Sequence, residues 1–243
     1  MDETGLRSWP SVAVVGAGAV GCYYGGMLAR AGAPVMLIGR AAHVNAIRER
    51  GLVLERSSGS LTVPAQASTE LSAAREASLV LFCVKTVDTE AAAQAIRPHL
   101  GSRSIVVSLQ NGVDNVERMY SAAAIEALPA VVYVACAMVG PGHVRHSGLG
   151  ELVIGNSGAG GAELSPDAIA GLFERAEVPC RVSRNIATEL WTKMVVNCAY
   201  NAISALGRAR YGRMLDSGRT RELMAQVIKE AVAVARAGGV PLD

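Results

Sequence analysis

The chain has 243 residues, 51% hydrophobic and 18% charged, against about 25% charged in an average globular protein. It can bury a sizeable core, which excludes intrinsic disorder and fits one large or two small domains. Lys and Arg number 23 against 21 Asp and Glu, a net charge of +2 with no basic run, so no nucleic-acid partner is expected.

The five cysteines, Cys22, Cys83, Cys136, Cys180 and Cys198, are odd in number and form no C-x-x-C pair. They read as reduced thiols of a cytoplasmic protein. Ser11–Val20 has the look of a signal-peptide core, but Asp2 and Glu3 precede it and glycines interrupt it. No membrane span of ~18 apolar residues is read in the sequence, so no membrane partner is expected.

Taken in chain order, Val12–Val15 is a β-branched run that suits a buried strand, and Gly18 to Ala31 has helical composition ending at Gly32. Pro34–Ile38 is a second strand, Ala42–Arg50 a helix, and Leu52–Leu54 and Ser60–Val63 short strands. Ser78–Val84 and Ser104–Leu109 are buried strands flanking a helix-length segment, Thr86–Leu100. This alternation predicts a parallel, doubly wound α/β sheet. Val131–Val139 reads as a further strand, Gly140–Gly150 as a turn or hairpin continued by Glu151–Ile154, and Asn156–Gly161 as a linker. Helix Pro166–Ala176 and strand Cys180–Val182 follow. Beyond Arg184 only helices are expected, chiefly Asn185–Leu206 and Thr220–Ala237, so the domain boundary is drawn there.

Gly16-x-Gly18-x-x-Gly21 follows a strand and opens a helix, the context that gives this motif its meaning. Gly16 permits the tight turn, Gly18 the close approach of a pyrophosphate, and Gly21 close packing of helix on strand. The helix N-terminus supplies free N–H groups and partial positive charge. Ala17, Ala19 and Val20 complete the loop. About 20 residues on, where an NAD site carries an acid, stands Arg40. A guanidinium suits a 2′-phosphate, so NADP(H) is the expected cofactor.

Within Glu189–Leu206, Lys193, Asn197, Asn201 and Ser204 recur at spacings of four, four and three and share one helix face. The rest of the segment is apolar, which predicts a mostly buried helix whose polar stripe lines a pocket. An ammonium and amides suit a substrate with a carboxylate and a carbonyl. Lys193 can act as general acid, its pKa lowered by burial. Lys85 and Asn111 stand at the carboxyl ends of two strands, where ligands bind in such sheets. His143 and His146 lack matching ligands for a metal site, and no G-x-S-x-G elbow is present.

On these residues the chain resembles the ketopantoate reductases (2-dehydropantoate 2-reductases). The motifs are VVGAGAVG, Arg40, CVKT around Lys85, LQNGV around Asn111, GHVRHSGLGELVIG and ELWTKMVVNCAYNAISAL. The resemblance implies a Rossmann domain over 1–184, a helical substrate domain over 185–243, and an active site between the two. It implies pyrophosphate on Gly16, Gly18 and Gly21, 2′-phosphate on Arg40, and nicotinamide and substrate near Lys85 and Asn111. Lys193 matches the catalytic proton donor, and Asn197 and Asn201 the positions that hold ketopantoate. The reaction is NADPH-dependent reduction of this 2-ketoacid to pantoate.

The family's last helices carry a serine and a glutamate for which this sequence has no match, so the helical domain is expected to be C-terminally shortened. A different 2-ketoacid substrate, or a non-catalytic NADP-binding paralogue, are the alternatives. A shortened helical domain exposes apolar faces that favour association, which leaves a homodimer open.

Overall fold

The computed structural model of the protein describes residues 8–156 and 164–242. Of the linker expected at Asn156–Gly161, all but Asn156 lies outside the described residues. The chain divides into two compact units, Met1–Arg184 and Asn185–Asp243.

The first unit runs β1 (Val12–Val15), α1 (Ala19–Arg30), β2 (Val35–Ile38), α2 (Ala41–Arg50), β3 (Leu52–Arg56), β4 (Gly59–Val63), β5 (Gln66–Ser68), β6 (Leu79–Phe82), α3 (Thr89–Ile96), β7 (Ile105–Ser108) and α4 (Asn115–Ala123). It continues with β8 (Ala127–Gly140), β9 (His143–Gly155), α5 (Pro166–Arg175) and β10 (Cys180–Ser183). Strands β5-β2-β1-β6-β7-β8 form a parallel sheet in that spatial order. Counted along the chain this is order 3-2-1-4-5-6, the dinucleotide-binding Rossmann arrangement, with its switch point between β1 and β6.

The short apolar runs are strands because their alternate residues serve two cores. Val12, Val14, Leu37, Leu79, Leu81 and Val107 face one side, with Tyr24, Met27 and Leu28 of α1 and Phe173 of α5. Ala13, Val15, Val80, Phe82 and Val106 face the other, with Ile96 of α3 and Met119 of α4. A sheet covered on both faces needs near-continuous hydrophobic strands, and these sequences supply them.

Beyond β7 the fold departs from the purely parallel expectation. The long strand β8 leaves the parallel sheet to pair antiparallel with β9. On β9 sit β3 and β10, both parallel to it, and β4 closes the edge antiparallel to β3. The result is a mixed ten-stranded sheet. The glycine-rich segment read as a turn or hairpin is the hairpin of β8 and β9, most of it strand β9. Only residues 141 and 142 turn, while Gly148, Leu149 and Gly150 hold positive φ where the register with β8 slips. Such bulges explain why glycine is dense in a strand. The segment Thr86–Leu100 is not one helix but two 3₁₀ turns flanking the eight residues of α3. Helix α4 was not expected.

The second unit holds α6 (Ile186–Gly207), α7 (Tyr211–Met214) and α8 (Gly218–Ala237). The Asn185 side chain caps α6 by accepting the Thr188 N–H at 3.3 Å, and Ser217 caps α8 by accepting that of Thr220 at 3.4 Å. Val195, Ala235 and Leu242 form its small core, with Trp191, Ala231, Val232 and Val240 against them. The expectation of a mostly buried α6 is not met. Val195 and Ala199 are its buried residues, while Val196 is 51% and Leu206 88% exposed. An apolar helix is buried only as far as its neighbours reach, and α8 covers one face. No helix among the described residues is long and apolar enough to cross a membrane.

Candidate functional site

A cleft of about 500 Å³ opens at the carboxyl ends of β1, β2 and β6, where strand order reverses. Gly16, Ala17, Gly18, Arg40 and Lys85 all line it, together with Gly39, His43, Thr69 and Asp88. A second, larger concavity of about 920 Å³ lies at the amino ends of β7 and β8. Ligands of such sheets bind at the carboxyl ends, so the smaller cleft is the candidate site.

The loop geometry explains the glycines. Gly16 has φ +103°, and a Cβ there would lie 2.8 Å from the Cys83 backbone carbon. At Gly21, which is buried, a Cβ would strike the Gly16 carbonyl oxygen and lie 2.8 Å from a Val14 methyl. Gly21 therefore works by packing, beneath the loop rather than in the cleft. Gly18 faces open space, with nothing within 4 Å of where its Cβ would stand. Gly18 is also the N-cap of α1, with no side-chain cap and no acid in the first turn. The N–H groups of Ala19, Val20 and Gly21 have no carbonyl four residues back within the helix. An anion is what that open, uncapped end accepts.

Arg40 is exposed and N-caps α2. Its guanidinium makes no hydrogen bond or ion pair among the described residues, and the same is true of the Lys85 ammonium. Among the described residues, Asp88 is the one acid lining the cleft. An uncapped helix end, an open Gly18 and free cations fit the pyrophosphate and 2′-phosphate of NADP(H).

Lys85 and Asn111 sit on the loops that follow β6 and β7, and a buried polar bridge ties those loops together. Gln110, 5% exposed, donates through Nε2 to the Val84 carbonyl at 3.2 Å and the Thr89 hydroxyl at 2.7 Å. Its Oε1 accepts from the Ser108 hydroxyl at 3.0 Å. The Thr89 hydroxyl donates to the Thr86 carbonyl at 2.8 Å. The Asn111 carbonyl accepts from the Thr86 hydroxyl at 2.7 Å and from Asn115 Nδ2 at 2.9 Å. Asn111 is thus held by its backbone, with its residue exposed and outside the cleft lining. Sequence reasoning missed Gln110, Thr89 and Asn115, although Gln110 directly precedes the Asn-Gly pair.

In the second unit, Lys193, Asn197, Asn201 and Ser204 lie on the single helix α6. Burial lowers the Lys193 pKa to about 8, because desolvation penalises the charged amine. Lys193 and Asn197 are half-buried. Asn201 is exposed and accepts the Tyr211 hydroxyl at 2.5 Å, and the Ser204 hydroxyl donates to the Ala209 carbonyl at 2.7 Å. Ser204 thus closes the helix end.

The two histidines of the hairpin have structural partners. His143 Nε2 lies 2.9 Å from Glu55, which Arg145 also pairs. His146 Nε2 lies 2.9 Å from the Leu149 carbonyl, with its ring stacked on Tyr23 at 4.5 Å. Among the described residues, no group of three or more His, Cys, Asp or Glu could hold a metal ion.

Residues 12–159 match the family described as Ketopantoate reductase PanE/ApbA, and residues 185–243 its C-terminal counterpart. The 2-dehydropantoate 2-reductase of Pyrococcus abyssi is 31% identical over 95% of this chain and 75% of its own length. That of Halobacterium salinarum is 32% identical over 96% of this chain and 77% of its own length. The crystal structure of a PanE/ApbA family ketopantoate reductase from Ralstonia eutropha is 49% identical. It superposes with a TM-score of 0.88 over 96% of this chain and 76% of its own. The chain therefore spans about three quarters of the length of these relatives. With both of its units matched by the family's own models, the chain belongs to the ketopantoate reductase family.

Proposed function

We propose that the protein is an NADPH-dependent 2-dehydropantoate 2-reductase, reducing the ketone of a branched 2-ketoacid to the alcohol. The observation that carries this reading is the glycine cleft with Arg40, unpaired among the described residues, at its rim. Gly16 and Gly18 with the first turn of α1 hold the pyrophosphate, Gly21 packs that turn onto β1, and Arg40 takes the 2′-phosphate. Lys85 and Asn111 lie toward the nicotinamide and the substrate. Bound in this way, NADPH supplies a hydride to the carbonyl carbon.

Lys193 donates the proton that the carbonyl oxygen needs. With a pKa of about 8 it is mostly protonated at neutral pH, yet more acidic than an ordinary lysine. Asn197 and Asn201 orient the substrate's polar groups without adding charge, and Asn201 is steadied by Tyr211. The net change is ketoacid, NADPH and a proton to hydroxyacid and NADP⁺. Biosynthesis of pantothenate is the corresponding cellular role, in the cytoplasm, with the 2-ketoacid as the small-molecule partner.

The test is NADPH oxidation with ketopantoate and a panel of other 2-ketoacids. Wild-type turnover should be highest with ketopantoate, and Lys193→Ala should lower kcat by about 10²- to 10⁴-fold. Equal rates for the two proteins would remove Lys193 from the mechanism. Binding of NADPH without turnover of any ketoacid would overturn the reductase reading.

A further inference from the structure

We propose that His43 reads the cofactor's ribose 2′-phosphate beside Arg40 and thereby sets preference for NADPH over NADH. The proposal rests on reading the glycine cleft as an NADP(H) site.

His43 lies in the first turn of α2, three residues after its N-cap Arg40, and both line the cleft. No side chain caps this helix and no acid occupies its first turn. The imidazole is fixed from outside the helix. Gly142, in the turn between β8 and β9, donates its N–H to His43 Nδ1 at 3.3 Å, across 99 residues of sequence. That turn is itself pinned to α2 and β3. Arg50 Nη2 donates to the Pro141 carbonyl at 2.6 Å, and the Val53 N–H to the Gly142 carbonyl at 2.9 Å. A Cβ on Gly142 would stand 3.1 Å from Ile47 and 3.2 Å from Ala46, so turn and helix are in close contact.

A ring nitrogen that accepts a hydrogen bond carries no proton. The neutral imidazole therefore holds its proton on Nε2, which becomes an obligatory donor. Nε2 has no partner among the described residues. A donor with a fixed tautomer, on a cleft wall shared with an unpaired guanidinium, calls for an anionic acceptor. The 2′-phosphate offers three acceptor oxygens where NADH offers one hydroxyl. Arg40 then binds the phosphate through its fork and His43 through a single neutral donor, so discrimination does not need the imidazole to be charged.

The test is titration of NADPH, NADH and 2′,5′-ADP into wild type, His43→Leu, His43→Gln and Arg40→Ala, with circular dichroism to verify folding. A hydrogen bond to a charged group predicts that His43→Leu weakens NADPH and 2′,5′-ADP about 10- to 100-fold and leaves NADH within about twofold. His43→Gln, which keeps an N–H donor at similar reach, should recover part of the loss. Equal weakening of NADPH and NADH would overturn the proposal and leave His43 as an anchor of the Gly142 turn. Unchanged NADPH affinity would overturn it too. If wild type shows no preference for NADPH and Arg40→Ala changes nothing, the NADP(H) reading of the cleft fails first, a result distinct from loss of the His43 role alone.

Discussion

In the first unit the central parallel strands β1, β2, β6 and β7 are covered on both faces, and aromatic residues from α1 and α5 reach complete burial, as with Tyr24 and Phe173 at 0% exposure. In the second, α6 and α8 share a core of three buried residues, and Leu206 stands 88% exposed. Both units carry residues that the proposed reaction would use, but they hold them differently. The glycine loop and Lys85 rest on a close-packed sheet, where moving one atom disturbs many. The stripe on α6 is aligned by helix geometry and by local bonds such as Asn185 to Thr188 and Ser204 to Ala209. Precision in the first unit comes from packing, and in the second from regular secondary structure.

The sharpest break of that contrast is Phe173→Ala. Its ring is fully buried in the core beneath α1 and α5, so truncation should cost about 3–5 kcal/mol by denaturant unfolding. Val195→Ala in the small core should cost less, about 1.6 kcal/mol from two lost methyl-sized groups. Equal costs would mean that the two cores are packed alike.

Gln110→Leu tests the polar bridge between the β6 and β7 loops. The leucine strands the Ser108 and Thr89 hydroxyls and the Val84 carbonyl without their Gln110 partner. About 1–3 kcal/mol of stability should be lost, with weaker NADPH binding as the Lys85 and Asn111 loops loosen. Lost cofactor affinity at unchanged stability would show that Gln110 acts on the ligand directly.

Lys193 gives the next effect. A general acid works only while protonated, and burial has lowered this amine to about 8. The free-enzyme profile of kcat/KM should be level below that pH and fall about tenfold per unit above it. The same shift makes native stability rise with pH from about 8 toward the ordinary lysine value, because the unfolded chain binds the extra proton in that window. An activity profile flat to pH 10 would exclude Lys193 as the titrating acid.

The same division between packing and regular structure governs what can be read from the sequence. Gly16-x-Gly18-x-x-Gly21 is legible because a positive φ and close backbone contacts allow nothing but glycine at two of its positions. The short strands β1, β2, β6 and β7 are legible because double-sided burial forces unbroken apolar runs. Helix α4 is harder to read: its apolar residues Val116, Met119, Tyr120 and Ala123 do recur at helical spacing, but the helix is nine residues long and Met119 is its one buried apolar side chain, so the signal is short. Strand β9 hides behind glycines whose purpose emerges only against β8. Gln110 and His43 are polar residues whose worth depends on partners 26 and 99 positions away, a tertiary fact with no local signature.

The smallest effect is expected on the open face of α6, and it tests whether exposure there means what it does elsewhere. Leu206 is 88% exposed near the end of the helix, so Leu206→Ser removes almost no buried surface. The sum of a lost leucine propensity and a gained polar group should stay within about 0.5 kcal/mol in urea unfolding. The same substitution at a buried leucine such as Leu81 would cost several kcal/mol, because a hydroxyl then enters the sheet core without a partner. A cost above about 2 kcal/mol at Leu206, and one that grows with protein concentration, would mean that this face is covered in solution by association. The second unit would then owe its stability to an interface, as the first owes its own to a two-sided core.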